Sequence, residues 1–179
     1  MSHDLFKYWL AIASQVAQKS KCLSRKIGAL IITPDNTIVG TGYNGPPRGV
    51  VHCDSPERLE WIIENVTKTH FGNVRAFLED SGWGTACPRH LLGYKSGDGL
   101  YLCIAGHAER NAIVNSAREG IRTKGCFLVL NTVLPCKDCM IEIINAGITK
   151  IICYAGPDYD PASRWLAVQA RTEIIQITR

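Results

Sequence analysis

Two short segments carry the residue types that metal and acid–base chemistry need. One is His107-Ala108-Glu109; the other is Pro135-Cys136-Lys137-Asp138-Cys139. Each stands where a helix is expected to begin. Cysteines three positions apart lie on one helix face and can grip one ion. Pro135 supplies a helix start, and both the positive helix end and a metal favour thiolate over thiol. His107 can add a third, neutral ligand. Three protein ligands leave one tetrahedral position open, as a catalytic zinc ion needs and a structural one does not. Water in such a position becomes a nucleophile near neutral pH, its pKa lowered to roughly 7. Glu109, two residues past the histidine, is placed to move protons beside the metal without ligating it. Alone, a C-x-x-C pair is often a redox couple or half of a structural zinc site, and a lone H-x-E carries no information. Together they favour a catalytic metal, because a redox couple has no use for His107 and Glu109.

The surrounding chain must supply those two helix starts. Apolar residues Leu5, Tyr8, Trp9, Ile12, Val16 and Ala17 recur at helical spacing and predict a helix over residues 4–20. Ile27–Ile32 and Asn36–Thr41 are apolar and β-branched around Pro34-Asp35-Asn36, which predicts a hairpin. A turn-rich loop, Gly42–Gly49, follows. Ser55-Pro56-Glu57 reads as a helix start, and helical spacing continues through Leu59, Ile62, Ile63 and Val66. Residues 70–103 carry Gly, Pro and isolated aromatics and read as an insertion or flap.

From His107 the pattern becomes regular. It predicts a helix to Arg118, a strand at Cys126–Leu130, a helix from Pro135 to Gly147, a strand at Lys150–Tyr154, a helix near Ala162–Ala170 and a strand near Glu173–Ile177. Alternating helices and strands with short connections imply parallel strands with helices on both faces. The fold class is therefore α/β: a three-layer α/β/α sandwich whose mixed sheet has mostly five strands. It forms one domain over residues 1–179, with an inserted segment around residues 54–103.

Composition narrows the function classes. With 179 residues, 46% hydrophobic and 20% charged, the chain can bury a core and is not a disordered polymer. No apolar run approaches the ~20 residues of a membrane span, and the first residues carry no secretory pattern, so a cytoplasmic location is expected. The formal net charge of +4 is too mild to point to nucleic acid. There are eight cysteines. In a reducing compartment they mean metal ligation, catalysis or burial more often than disulfides.

The pattern H-x-E followed by P-C-x-x-C is the signature of zinc nucleobase deaminases. Around it, Ser20-Lys21-Cys22, Lys26–Ile31, Ile38–Gly49, His107–Ile113, Leu134–Cys139 and Ala146-Gly147-Ile148 resemble the cytidine and deoxycytidylate deaminase superfamily. The likeness is greatest to deoxycytidylate (dCMP) deaminases, phage ones included, and covers about two-thirds of the chain. It implies a cytidine deaminase-like fold and hydrolytic deamination of dCMP to dUMP and ammonia, supplying thymidylate synthesis. Glu109 would be catalytic, with zinc on His107, Cys136 and Cys139. Substrate would be met by Asn44, Ala108, the carbonyl of Leu134 and Tyr159, and its phosphate by Arg25 or Lys26. The Gly42–Gly49 loop, with Gly42, Tyr43, Gly45 and Arg48, resembles the segment through which such enzymes answer to dCTP with Mg²⁺ as activator and dTTP as inhibitor. A homohexamer, in the host cytoplasm for a phage-encoded chain, belongs to the same expectation, with no nucleic-acid or membrane partner. For Asn44 the bland reading is a turn residue, for Tyr159 packing, and for Arg110 a solvated helix position rather than one facing a subunit or a phosphate.

Phage-type members carry a second zinc. Cys87-Pro88-Arg89-His90 offers a C-x-x-H pair, and Cys22 and Cys53 fall where matching ligands are expected, so these four would form a closed structural site. His52 or His70 can replace one ligand, and a metal-free insertion is the alternative. Cys103, Cys126 and Cys153 sit in apolar runs and read as core; Trp9, Trp61, Trp83 and Trp165 read as packing residues. Competing functions are a deaminase for dCTP, free cytosine compounds or a tRNA base, and a zinc-stabilised binding protein without activity. Glu109 argues against the last.

Overall fold

The computed structural model describes residues 3–66 and 73–179. His70, the alternative ligand, lies outside them. The chain divides into two compact units. The first comprises residues 1–20, 27–44 and 107–179; the second comprises 21–26 and 45–106. The segment read as an insertion, 54–103, falls within the second.

The first unit is built on a five-stranded sheet. Its strands are β1 (Gly28–Ile32), β2 (Ile38–Tyr43), β3 (Phe127–Leu130), β4 (Lys150–Tyr154) and β5 (Glu173–Ile177), in the order β2-β1-β3-β4-β5. β2, β1 and β3 run antiparallel, whereas β3, β4 and β5 are parallel. The hairpin thus supplies one edge, and the regular second half of the sequence the parallel part. β1 and β3 are apolar throughout because both faces are covered. Leu30, Ile32, Val129 and Ile152 point to one side, against Phe6, Trp9, Leu10 and Ala13 of helix α1 (His3–Ala17). Ala29, Ile31, Leu128, Leu130, Ile151 and Cys153 point to the other. There they meet Ala108 and Ala112, Met140 and Ile143, and Ala167. These come from three further helices: Ala108–Arg118, Lys137–Asn145 and Pro161–Gln169. The result is the mixed three-layer sandwich.

The second unit is helical. It holds α2 (Pro56–Asn65), α3 (Val74–Asp80), α4 (Pro88–Leu91) and a 3₁₀ turn, Leu100–Leu102. Ser55 caps α2 by accepting the N–H of Arg58, and Pro56 takes the first helical position, as its sequence demands. Leu59, Ile62, Leu78, Leu92 and Leu102 form its core. The helices after residue 70 were not expected, since short helices among glycines leave little periodicity to read. In chain order the three remaining helices of the first unit are α5 (Ala108–Arg118), α6 (Lys137–Asn145) and α7 (Pro161–Gln169).

Candidate metal centre and active site

His107 and Cys136 occupy the N-cap positions of α5 and α6, with extended backbones at ψ 153° and 165°. An N-cap side chain ordinarily accepts a backbone N–H of the first turn. Neither residue does so here. Helix α6 starts at Lys137, so Pro135 precedes the cap rather than opening the helix. Cys139 follows one turn on, fully buried.

Nδ1 of His107 lies 3.6 Å from Sγ of Cys136 and 3.2 Å from Sγ of Cys139. All three ligand atoms lie within 4.8 Å of one another. A tetrahedral ion with ordinary Zn–N and Zn–S bonds sets such donors roughly 3.6 Å apart. The donor set of one imidazole and two sulfurs therefore fits zinc in size and in chemistry. Of the three donors, Cys136 is the one already held in its metal-binding form. A hydrogen bond from Cys139, seconded by one from His107, pulls the Cys136 thiol down to about 4. The bond to Cys136 and burial push Cys139 up, and the bond to Cys136 raises His107 against its burial. Donors packed this closely share protons that a divalent cation would replace.

Glu109 lies in the first turn of α5 and is only 5% exposed. Burial pushes its carboxyl above the ordinary range, against its own backbone N–H and the His107 charge. A carboxyl raised in this way is a stronger base than an exposed one, as a proton shuttle requires. Its depth follows from the packing of α5 on β2. A Cβ on Gly42 would stand 2.3 Å from the carbonyl of Ala108 and the nitrogen of Ala112; one on Gly40 would stand 2.2 Å from the Ser116 hydroxyl. Glycines on the strand and small residues on the helix bring the two backbones together. Asn111 and Asn115 then donate from α5 to the carbonyls of Tyr43 and Thr41, at 2.8 and 2.9 Å.

The remaining expected site residues separate into two groups. Within the first unit, Asn44 is buried and pinned: its Oδ1 accepts the Ile27 N–H at 2.8 Å and its carbonyl accepts the Ser20 hydroxyl at 2.7 Å. Leu134 is 2% exposed and Tyr159 is 50% exposed. Arg110 lies 3.0 Å from Glu142 of α6, an ion pair within the chain. Gly42 and Tyr43 belong to β2 rather than to a loop. In the second unit, Gly45 forms a bridge with Gly106, Arg48 and Lys26 are exposed, and the exposed Arg25 donates to Ser96 at 3.3 Å.

Cys22, Cys53, Cys87 and His90 all fall in the second unit. Among the described residues, His107, Cys136 and Cys139 are the only His, Cys, Asp or Glu group gathered within 4.8 Å, so these four are not drawn together to that degree. The His90 Nε2 lies 3.4 Å from the Ser24 hydroxyl. Burial pushes the Cys53 thiol up to about 11; Arg58 opposes this, while Cys103, Cys87 and Cys22 add to it. Arg58 itself is 4% exposed, donates to the Leu102 carbonyl and stacks 4.2 Å over Trp61. Cys103 is exposed, against the expectation of a core residue, because it follows the 3₁₀ turn rather than lying in a strand; Cys126 and Cys153 are buried as expected. Trp165, expected to pack, is exposed on α7.

Sequence reasoning missed the residues that act through the backbone. Asn111 and Asn115 lie one turn apart after the H-x-E motif, a spacing visible in the sequence. Asp160 gives only the weaker signal of an Asp-Pro helix start: its carboxylate accepts the N–H of Ala162 in α7 at 3.1 Å and the N–H of Lys137 in α6 at 3.0 Å.

A family profile described as "Cytidine and deoxycytidylate deaminase zinc-binding region" matches residues 4–155. The deoxycytidylate deaminase of Enterobacteria phage T2 is 35% identical over 147 residues, spanning 80% of this chain and 76% of that protein. That of Mycobacterium phage D29 is 29% identical over 150 residues, 83% of this chain and 93% of the relative. A crystal structure of the dCMP deaminase from cyanophage S-TIM5, in complex with dCMP and dUMP, covers 99% of both chains. It shares the fold at a TM-score of 0.66 and 22% identity. A zinc-region profile across most of the chain, and a phage relative above 30% identity, establish that the chain belongs to the cytidine and deoxycytidylate deaminase family.

Proposed function

We propose that this chain hydrolyses the 4-amino group of dCMP, giving dUMP for thymidylate synthesis and ammonia. The observation that carries this reading is the buried Glu109 beside the His107–Cys136–Cys139 donor set. The choice of dCMP is supported by the names of the relatives from phages T2 and D29. Zinc held by His107 Nδ1 and the two thiolates would supply an activated water at its fourth position. Glu109 would take one proton from that water to N3 of the ring and then pass the second, from the new C4 hydroxyl, to the amine, which leaves as ammonia. Burial raises its carboxyl above the ordinary range, which strengthens it as the base of the first step. Ala108, first in α5, adds an N–H that a helix start leaves without an intrahelical acceptor. In this reading Asn44 binds the sugar or positions the base, the Leu134 carbonyl meets the amine, and Tyr159 lies near the substrate. Arg25 and Lys26 are exposed cations suited to a phosphate.

Three further parts belong to the reading. The first is control by dCTP with Mg²⁺ and by dTTP through Gly42, Tyr43, Gly45 and Arg48. The second is assembly of a homohexamer, for which Val114 on α5 and Trp165 and Val168 on α7 offer exposed apolar surface. The third is a structural zinc in the second unit, on Cys22, Cys53, Cys87 and His90. Its support is the mutual influence of these cysteines beside the buried Arg58, a cation that thiolates would balance.

The test is ammonia release from dCMP, dCTP, deoxycytidine and cytosine. Preferred turnover of dCMP is the expected result. Preference for dCTP would transfer the assignment to that nucleotide, and inertness toward all four would overturn it.

A further inference from the structure

Helix α6 carries two of the three metal donors, yet its own N-cap residue does not cap it. Cys136 holds the cap position with its sulfur turned to His107, 3.6 Å away. The first N–H of the helix, that of Lys137, is taken instead by Asp160, 23 positions further on, through Oδ2 at 3.0 Å. The other oxygen, Oδ1, accepts the Ala162 N–H at 3.1 Å and caps α7. A single carboxylate thus closes the starts of two helices, and its charge suits both positive ends. Tyr159 lies directly before it. On the far side of Tyr159, Asp158 receives a two-pronged bond from Arg164 at 2.5 and 2.8 Å, and Arg164 reaches Gln176 at 3.2 Å. The exposed tyrosine therefore stands between two anchored acids.

We propose that Asp160 is a positioning residue for the metal centre: it caps α6 from outside, fixes the Cys136 sulfur toward the ion, and ties the Tyr159 segment to that sulfur. This rests on the metal assignment of the preceding section. The bridge needs two acceptor oxygens on one side chain. Serine and asparagine cap a helix about as well as aspartate but offer only one acceptor. Asp160→Ser and Asp160→Asn keep the cap of α7 and lose the bond to Lys137.

The experiment measures zinc transfer from the loaded protein to a chromogenic chelator, alongside the thermal midpoint and the kcat and KM for dCMP. Both variants are expected to release zinc roughly tenfold faster, in the range seen when outer-shell partners are removed. Asp158→Asn, which frees the same segment without touching Lys137, is expected to release zinc at the wild-type rate. Wild-type release rates in both Asp160 variants would overturn the proposal, leaving Asp160 a cap of α7 alone. Equal acceleration by Asp158→Asn would overturn it too, since segment order rather than the bridge would then govern the metal. A wild-type protein that takes up no zinc would instead refute the metal assignment itself.

Discussion

Glu109 combines two properties that rarely coincide in a stable core: it is ionisable and almost wholly buried. Burial alone would make it a liability, since an unpaired buried charge is costly. Its neighbours make it useful, because His107 offsets part of that cost and leaves a carboxyl able to exchange protons. Glu109→Gln keeps the shape and removes the exchange. Turnover is expected to fall by at least about a thousandfold, in the range of general acid–base catalysis, with zinc content unchanged. Kinetics paired with metal analysis check this; a fully active variant would refute the proton-shuttle role. At this scale the donors and the acid were legible because their spacing is local. His107 and Glu109 lie within one turn, as do Cys136 and Cys139. Asp160 was not legible in its second role, because its acceptor work on α6 joins residues 23 positions apart through a backbone N–H. Cys103 misled because the apolar run around it resembles a strand, while the chain there makes a 3₁₀ turn.

Among the elements, the seam between β2 and α5 sets the depth of Glu109. Gly42→Ala would press a methyl against the Ala108 carbonyl and the Ala112 nitrogen, and backbone atoms cannot swing aside. Destabilisation of about 1–3 kcal/mol is expected, the usual cost of overpacking, and a urea titration measures it. A silent substitution would mean that α5 can retreat without cost. The strands were legible as apolar runs because the sheet is covered on both faces, and β4 and β5 fall where the pattern put them. The start of α6 was placed too early, since proline is read as a first helical residue whereas here a ligand takes the cap. The edges of β2 were misread for a related reason. Gly42, read as the start of a loop, serves close approach to α5.

For the molecule as a whole, the two units divide the work. The first carries the donor set and Glu109; the second holds Cys22, Cys53, Cys87 and Cys103, with Cys53 beside the buried Arg58. If both hold zinc, metal analysis is expected to find two ions per chain, and one in Cys53→Ser. One ion in the wild-type protein would dismiss the second site. The sequence offers Cys22, Cys53, Cys87 and His90 for it, and this metal count is the test of that set. One detail of the sheet limits how copies can meet. Carbonyls along the outer border of β2 are engaged by the amides of Asn111 and Asn115. An incoming extended chain would have to displace both amides to continue the ladder there. Ribbon-like association along that border therefore carries the added cost of breaking both bonds.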